Sequence, residues 1–205
     1  MTKPRKKITQ IKKHSSNEFF APITQAIEQL DLSTLDKIIN LIWATHLKGK
    51  TIFFAGNGGS ASIASHMAAD LGKNTTRNHY DQLENRIKTM SLCDNVPWIT
   101  AVSNDISYDE VFVEQLKSFA TEGDLVIVFS GSGNSTNIVK TVLWAKDHNI
   151  HSIGILGFDG GYAKDFLELS LIVKSSNYGV IESVHSCIHH YIVEVLKRKK
   201  KEQKE

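Results

Sequence analysis

A short apolar run at residues 52–55 is followed by a loop of small residues, 56–60, and then by a helix-forming run that reaches Gly72. The apolar run is typical of a buried strand, so the order is strand, glycine loop, helix. This order exposes backbone N–H groups at a helix N-terminus, where the helix dipole also favours an anion. The stretch therefore predicts a cradle for a phosphate, with a purely structural turn as the alternative.

Two side chains on the helix of this stretch can ligate a metal or move a proton. His66 and Asp70 are four residues apart, so they lie on one face of the predicted helix. The start of a chemical site is therefore expected beside the predicted anion cradle.

The clearest strand of the sequence is residues 125–129, which are apolar throughout, as expected when both faces of a strand are covered. It runs into a loop with three serines, Ser130, Ser132 and Ser135, and a helix is predicted from Thr136. Hydroxyl and N–H groups that converge on a helix N-terminus indicate a phosphate site, and an ordinary serine-rich turn is the alternative. Neither a P-loop lysine nor a G-x-G-x-x-G motif is present, so no nucleotide motif is met.

Strands and helices alternate along the predicted chain. Strands are predicted at residues 52–55, 87–93, 125–129, 152–156 and 169–173, and helices at 16–30, after Ser33, after residue 60, and at 96–102, 109–120, 136–147 and 179–197. This alternation predicts an α/β three-layer sandwich with a mainly parallel sheet flanked by helices. Ligands bind such sheets beyond the carboxyl ends of the strands, so the two loops are expected to meet in one crevice. The first two helices are expected to cover the sheet or to pack on another subunit.

The last predicted helix carries Glu182, His185, His189 and His190 among apolar residues. Histidines on an apolar helix are usually core or interface residues, but burying these titratable groups without partners would be costly. On a helical wheel Glu182, His185 and His189 share one side, whereas His190 lies about 80° from Glu182. Periodicity alone therefore favours His189 over His190 as a partner of Glu182.

Composition narrows the class of protein. The 205 residues carry a formal net charge of +2 and contain no apolar run that could span a membrane. The basic N-terminus lacks the apolar core of a secretory signal, and two cysteines are too few for a disulfide framework, so a cytoplasmic protein is expected. Residues 1–15 are predicted to be a flexible arm, 16–197 a single domain and 198–205 a charged tail. The basic ends are interpreted as solvated, because no aromatic residues interleave with them to stack on nucleic-acid bases.

Five motifs resemble the sugar isomerase (SIS) domain family, and more narrowly the bacterial sedoheptulose 7-phosphate isomerases, also called phosphoheptose isomerases. They are GNGGSASIASHMAADL at 56–71, SND at 103–105, FSGSGNSTNIVKTVLWA at 129–145, GFDGG at 157–161 and IESVHSCIHH at 181–190. Their order and spacing agree over about residues 16–197. The paired loops resemble those of SIS phosphosugar sites, and the last motif points to the phosphoheptose branch.

The resemblance implies roles for individual residues. It implies substrate contacts by Asn57, Gly58, Gly59, Asp70, Asn104, Asp105, Ser130, Gly131, Ser132, Ser135 and Glu182, with phosphate on the serines. It implies one zinc ion per subunit on His66, Asp70, Glu182 and His190, of which Asp70, Glu182 and His190 would also serve catalysis. Here the family pattern selects His190 over His189. A homotetramer is implied as well, with sites near subunit boundaries.

Several positions depart from the family pattern. Asp70 replaces the usual glutamate, Glu182 replaces the usual glutamine, and Gly179-Val180 replaces a frequent Asp-Arg pair. The expected function is a phosphosugar aldose–ketose isomerase that converts sedoheptulose 7-phosphate through an enediol. The alternative is a non-catalytic SIS protein that binds a phosphosugar as a regulator or protein-binding module, which these departures keep open.

Overall fold

A five-stranded sheet forms the centre of the computed structural model, which describes residues 16–76, 78–81 and 83–202. The strands are β1 (Thr51–Gly56), β2 (Lys88–Ser91), β3 (Leu125–Ser130), β4 (His151–Gly157) and β5 (Leu169–Val173). The helices are α1 (Ser16–Glu28), α2 (Leu32–Leu47), α3 (Gly59–Ala69), α4 (Val96–Asp105), α5 (Val113–Phe119), α6 (Thr136–Asp147) and α7 (Tyr178–Glu202). The strand order is β2-β1-β3-β4-β5, and every neighbouring pair is parallel.

Both faces of the sheet are covered by helices. Successive strand side chains point to opposite faces, so Ile52 and Phe54 of β1 enter a core shared with α2, α3 and α7. Phe53 and Ala55 enter a second core, shared with α4, α5 and α6. The predicted three-layer α/β sandwich is therefore confirmed. Among the described helices, none is both long enough and apolar enough to cross a bilayer.

Several predicted helix ends differ from the structure. Asp31, not Ser33, caps α2, because its Oδ1 accepts a hydrogen bond from the Thr34 N–H at 3.1 Å. The helix predicted at 96–102 ends too early, since α4 continues through Asp105. The predicted helix at 109–120 is divided into a 3-10 turn, Tyr108–Glu110, and α5.

The C-terminal end is more ordered than the expected tail. Helix α7 continues to Glu202, and Lys200 is only 5% exposed. Its Nζ lies 3.2 Å from Oε1 of Glu84 and donates to the Asn85 carbonyl at 2.9 Å. This buried pair ties α7 to the loop before β2, so the solvated tail predicted from residue 198 starts too early. The predicted arm at 1–15 and residues 203–205 lie outside the described residues.

His185 belongs to the core and not to a polar site. Its side chain is fully buried on α7, its ring lies 5.9 Å from that of Phe129, and its Nε2 donates to the Leu156 carbonyl at 3.1 Å. Nδ1 is buried without a partner. Burial lowers the pKa of His185 to about 4, an effect that the Leu156 carbonyl partly offsets. Protonation would place a second N–H where no acceptor is available, so the neutral ring is favoured.

Stability should therefore fall in acid because of His185. Its pKa is near 6.5 when unfolded and about 4 when folded, so its neutral form contributes full stability above pH 6.5, and this contribution is lost as the pH falls towards 4. Between these pH values, wild type should lose about 3 kcal/mol more unfolding free energy than His185→Gln. Urea unfolding at a series of pH values measures this, and equal slopes for the two proteins would contradict it.

The serine loop depends on glycine at one packed position. Gly133 has φ +65°, and a Cβ there would collide with the Gly160 carbonyl oxygen. Gly49 has a similar φ of +67° but nothing within 4 Å of its Cβ position. Gly133→Ala should therefore be more destabilising than Gly49→Ala by about 1–3 kcal/mol, the usual cost of overpacking. Chemical unfolding of both variants measures the difference, and equal losses would show that the loop yields freely.

Candidate functional site

The two predicted loops lie side by side beyond the carboxyl ends of the neighbouring strands β1 and β3. The chain passes from β1 to β2 on one side and then crosses to β3 on the other, so β1 and β3 form the point at which strand order reverses. Gly56, the last residue of β1, pairs with Phe129, and Ser130 follows at the end of β3. The loops after these strands are therefore neighbours, at the place where such sheets bind ligands.

A cavity of about 140 Å³ lies between the loops. It is lined by Asn57, Ser60, Phe129, Ser130, Gly131, Ser132, Ser135, Tyr178 and Glu182. The predicted crevice is thus present, and α7 closes it with two side chains. Two larger grooves, of about 420 and 470 Å³, lie beside the amino ends of β3 and β4, away from the serine and glycine loops.

The serine loop is held by its own hydroxyl groups. Ser130 Oγ accepts a hydrogen bond from the Gly133 N–H at 3.0 Å, and Ser132 Oγ accepts one from the Asn134 N–H at 3.2 Å. Ser135 is the N-cap residue of α6 but makes no capping hydrogen bond with its side chain. First-turn N–H groups of α6 are therefore not occupied by a capping side chain, in contrast to α2 and α4, and the loop presents donors suited to an anion.

The glycine loop is fixed by an amide pair that the sequence did not reveal. Asn57 and Asn137 exchange two side-chain hydrogen bonds of 2.8 and 2.9 Å. The Tyr108 hydroxyl also donates to Asn57 Oδ1, at 2.9 Å. The sequence analysis did not predict three residues of this region: Tyr108, Asn137 and Tyr178. Each is far from Asn57 in sequence, so only the tertiary structure identifies it.

Glu182 projects onto the glycine loop. A Cβ at Gly59 would lie 2.6 Å from both carboxylate oxygens of Glu182, so a larger residue at this position would displace the carboxylate from the loop. Gly58, which precedes Gly59, has φ +57° and forms the turn at the start of α3. Glu182 accordingly lines the cavity, and its contact with substrate stays a prediction.

Asn104 and Asp105 are not brought into the cavity within this chain. Both are exposed at the end of α4, and Asn104 Nδ2 donates to Asp105 Oδ1 at 2.8 Å. Their predicted contact with substrate therefore stays a prediction.

A second cluster lies where the end of α3 meets α7. Asp70 Oδ2 is 3.3 Å from His66 Nε2, 3.0 Å from His189 Nε2 and 3.7 Å from His190 Nδ1. Asn74, in the π-helical turn that follows α3, donates to the other carboxylate oxygen at 2.6 Å. His189 is fully buried, and this desolvation lowers its pKa to about 4, an effect that the hydrogen bond from its Nε2 to Asp70 partly offsets.

The cluster suits a divalent metal ion. One ring nitrogen from each of His66, His189 and His190 lies within 4.8 Å of the others. Ligand atoms about 2.1 Å from a tetrahedral zinc ion lie about 3.4 Å apart, and the spacings from Asp70 Oδ2, 3.0 to 3.7 Å, bracket that value. Imidazole and carboxylate are also ligands that zinc accepts.

The predicted zinc set is only partly assembled. His66, Asp70 and His190 lie together, as predicted, and His189 joins them. Among the residues that the structure describes, the three-histidine group that could hold a metal includes neither Glu182 nor Asp70, and Asp70 is associated with it through its distances to the three rings. The helical wheel and the family pattern each selected one histidine of the pair, whereas the structure has both beside Asp70.

The sequence of this chain is similar to those of proteins of known family. The sequence profile described as SIS domain matches residues 17–157. The chain is 33% identical to a phosphoheptose isomerase of Synechocystis, over 84% of this chain and 86% of that protein. It is 34% identical to a probable phosphoheptose isomerase of Thermoplasma volcanium, over 84% and 85% of the two chains.

A solved structure is similar over nearly the whole chain. The phosphoheptose isomerase of Neisseria gonorrhoeae aligns with a TM-score of 0.80 and 25% identity, covering 88% of this chain and 96% of that one. The profile match includes four of the five strands, and the alignment with the Synechocystis protein, over 172 residues, is longer than the profile match. The chain therefore belongs to the SIS domain family and, within it, to the phosphoheptose isomerases.

Proposed function

We propose that this protein is an aldose–ketose isomerase that converts sedoheptulose 7-phosphate to D-glycero-D-manno-heptose 7-phosphate. The observation that carries this proposal is the cavity in which the serine loop, the glycine loop and the Glu182 carboxylate converge. Phosphoheptose isomerases that are 33% identical over most of the chain support the same substrate.

The phosphate of the sugar is proposed to bind the serine loop. Ser130, Ser132 and Ser135 supply hydroxyl groups, and the first turn of α6 supplies N–H groups and a favourable dipole. The cavity of about 140 Å³ is smaller than the usual ligand site of about 300–1,000 Å³. It would therefore enclose only part of the phosphosugar, and the remainder would extend over the glycine loop and Asn57.

Proton transfer is assigned to the side chains that face the sugar from α3 and α7. A base removes a proton from C1 while the C2 carbonyl oxygen takes up a proton, which gives an enediol. A proton is then delivered to C2 as the C1 hydroxyl gives up its proton and becomes the aldehyde. Glu182, in the cavity, is the carboxylate proposed as base, and His190, which is exposed beside Asp70, is proposed to carry protons. Asp70 is proposed as the third catalytic residue, and its carboxylate would orient the neighbouring imidazoles.

A divalent ion, proposed to be zinc, fits the cluster around Asp70. His66, Asp70 and His190 would hold it, together with one further ligand. When bound, such an ion polarises a substrate carbonyl and stabilises negative charge that develops on its oxygen.

Self-association to a homotetramer is also proposed. Helix α1 packs along α7 beside the cavity. Two of its apolar side chains, Phe19 and Phe20, nevertheless remain 48% and 60% exposed. Apolar side chains grouped on one exposed helix support an interface between copies of this chain. Cys93 and Cys187 are both free, which supports the proposed cytoplasmic location.

Two substitutions should separate chemistry from binding. His190→Ala should lower kcat by about 100-fold or more, because a proton carrier and a proposed metal ligand are lost together, with KM nearly unchanged. Ser132→Ala should mainly raise KM, by about 10-fold, because one hydrogen bond to a charged phosphate is lost. Initial rates of aldose phosphate formation from sedoheptulose 7-phosphate measure both effects.

Exposed positions outside the cavity provide matched controls. His148→Ala and Ser118→Ala should behave as wild type. Unchanged turnover in His190→Ala would remove that residue from the mechanism. A wild-type protein that binds the sugar phosphate without any turnover would instead favour a non-catalytic SIS protein.

A further inference from the structure

His189 occupies an unusual position for a histidine. It lies on the buried face of α7, its side chain has no exposed surface, and its neighbours along that face, Ile188, Ile192 and Val193, are apolar core residues. An aliphatic side chain would fill such a position without any desolvation cost. The imidazole is therefore expected to have a chemical role in addition to packing.

The contacts of His189 all lead to the Asp70 cluster. Its Nε2 is 3.0 Å from Asp70 Oδ2, while its ring stacks on that of His190 with centroids 4.2 Å apart and meets His66 edge-on at 4.6 Å. Nδ1 is buried and has no partner. Three imidazoles thus surround one carboxylate oxygen, at spacings that bracket the distance between ligands of a tetrahedral ion.

Glu182 is placed differently. It precedes His189 by seven residues on α7, which separates their Cα atoms by about 10 Å along the helix axis. Its carboxylate lies over Gly59 at the glycine loop, within the sugar cavity. Both carboxylate oxygens are therefore directed to the substrate side of α7.

We propose that His189 is a direct metal ligand, so that His66, Asp70, His189 and His190 hold the ion while Glu182 stays outside the metal set. The inference rests on the proposed function, because it concerns the metal of that site. It assigns a three-histidine, one-carboxylate set where the family resemblance implied two histidines and two carboxylates.

This assignment has two chemical consequences. With neutral imidazoles, a dication keeps a net charge of +1 in the new set, whereas two carboxylates would neutralise it. The nitrogen-rich set favours zinc and similar ions over magnesium or calcium, which prefer oxygen ligands. Glu182 also remains a free carboxylate, which is the state that a base requires.

The number of imidazole ligands can be counted without any turnover. The protein is labelled with ¹⁵N-histidine, stripped of metal and loaded with ¹¹³Cd²⁺ alone, and nitrogen–cadmium couplings are observed by NMR. Wild type and Glu182→Gln should each show three coupled imidazoles. His189→Gln should show two, and His185, buried in the core, should be uncoupled in every protein.

Zinc affinity gives an independent readout, measured by competition with a chelator. His189→Gln should bind zinc at least about 100-fold more weakly, since loss of a ligand should exceed the 10–100-fold cost of losing an outer contact. Glu182→Gln should change affinity by less than about 3-fold, because only a charge at a distance is removed.

Two coupled imidazoles in wild type, or loss of the metal in Glu182→Gln but not in His189→Gln, would overturn the assignment. Wild-type protein that binds no ¹¹³Cd²⁺ would overturn it as well. If His189→Gln fails to fold, the coupling counts of wild type and Glu182→Gln still decide. The isomerase proposal is judged separately by product formation, so each proposal can fail alone.

Discussion

Parallel pairing of β1 with β3 is the constraint on which the rest of the site depends. The register that joins Gly56 to Phe129 ends both strands at the same level, so the glycine and serine loops must leave the sheet side by side. Helix α3 starts from the first loop and α6 from the second. Because β1 lies at the point where strand order reverses, the helices diverge there, and the space between the loops is left for a ligand.

Helix α7 contributes the remaining side chains of the site. One face packs its apolar residues and His185 on the sheet, while successive turns contribute first Glu182 to the cavity and then His189 and His190 to the Asp70 cluster. A single helix therefore connects the part of the site that would bind sugar with the part that would hold a metal. The buried Lys200–Glu84 pair fixes the far end of the same helix.

Local patterns predicted the sheet and the two loops because apolar runs, glycines and serines act within a few residues. They did not predict that α4 continues through Asp105, where the last residues of the helix are polar and exposed. The helical wheel favoured His189 and the family pattern selected His190, so neither predicted that both histidines lie beside Asp70. These adjacent residues of α7 both approach Asp70, His189 to 3.0 Å and His190 to 3.7 Å. Tyr108, Asn137 and the partner of Lys200 were missed because each depends on a contact between distant segments.

Conversion of sedoheptulose 7-phosphate in D₂O, followed by ¹H NMR, tests the central claim most directly. If the base and the proton carrier exchange protons with solvent at the enediol stage, the account predicts an aldose 7-phosphate with deuterium at C2, formed by the wild-type protein and much more slowly by His190→Ala. Absence of any product from metal-loaded wild-type protein, under conditions in which the Synechocystis phosphoheptose isomerase turns the sugar over, would contradict it.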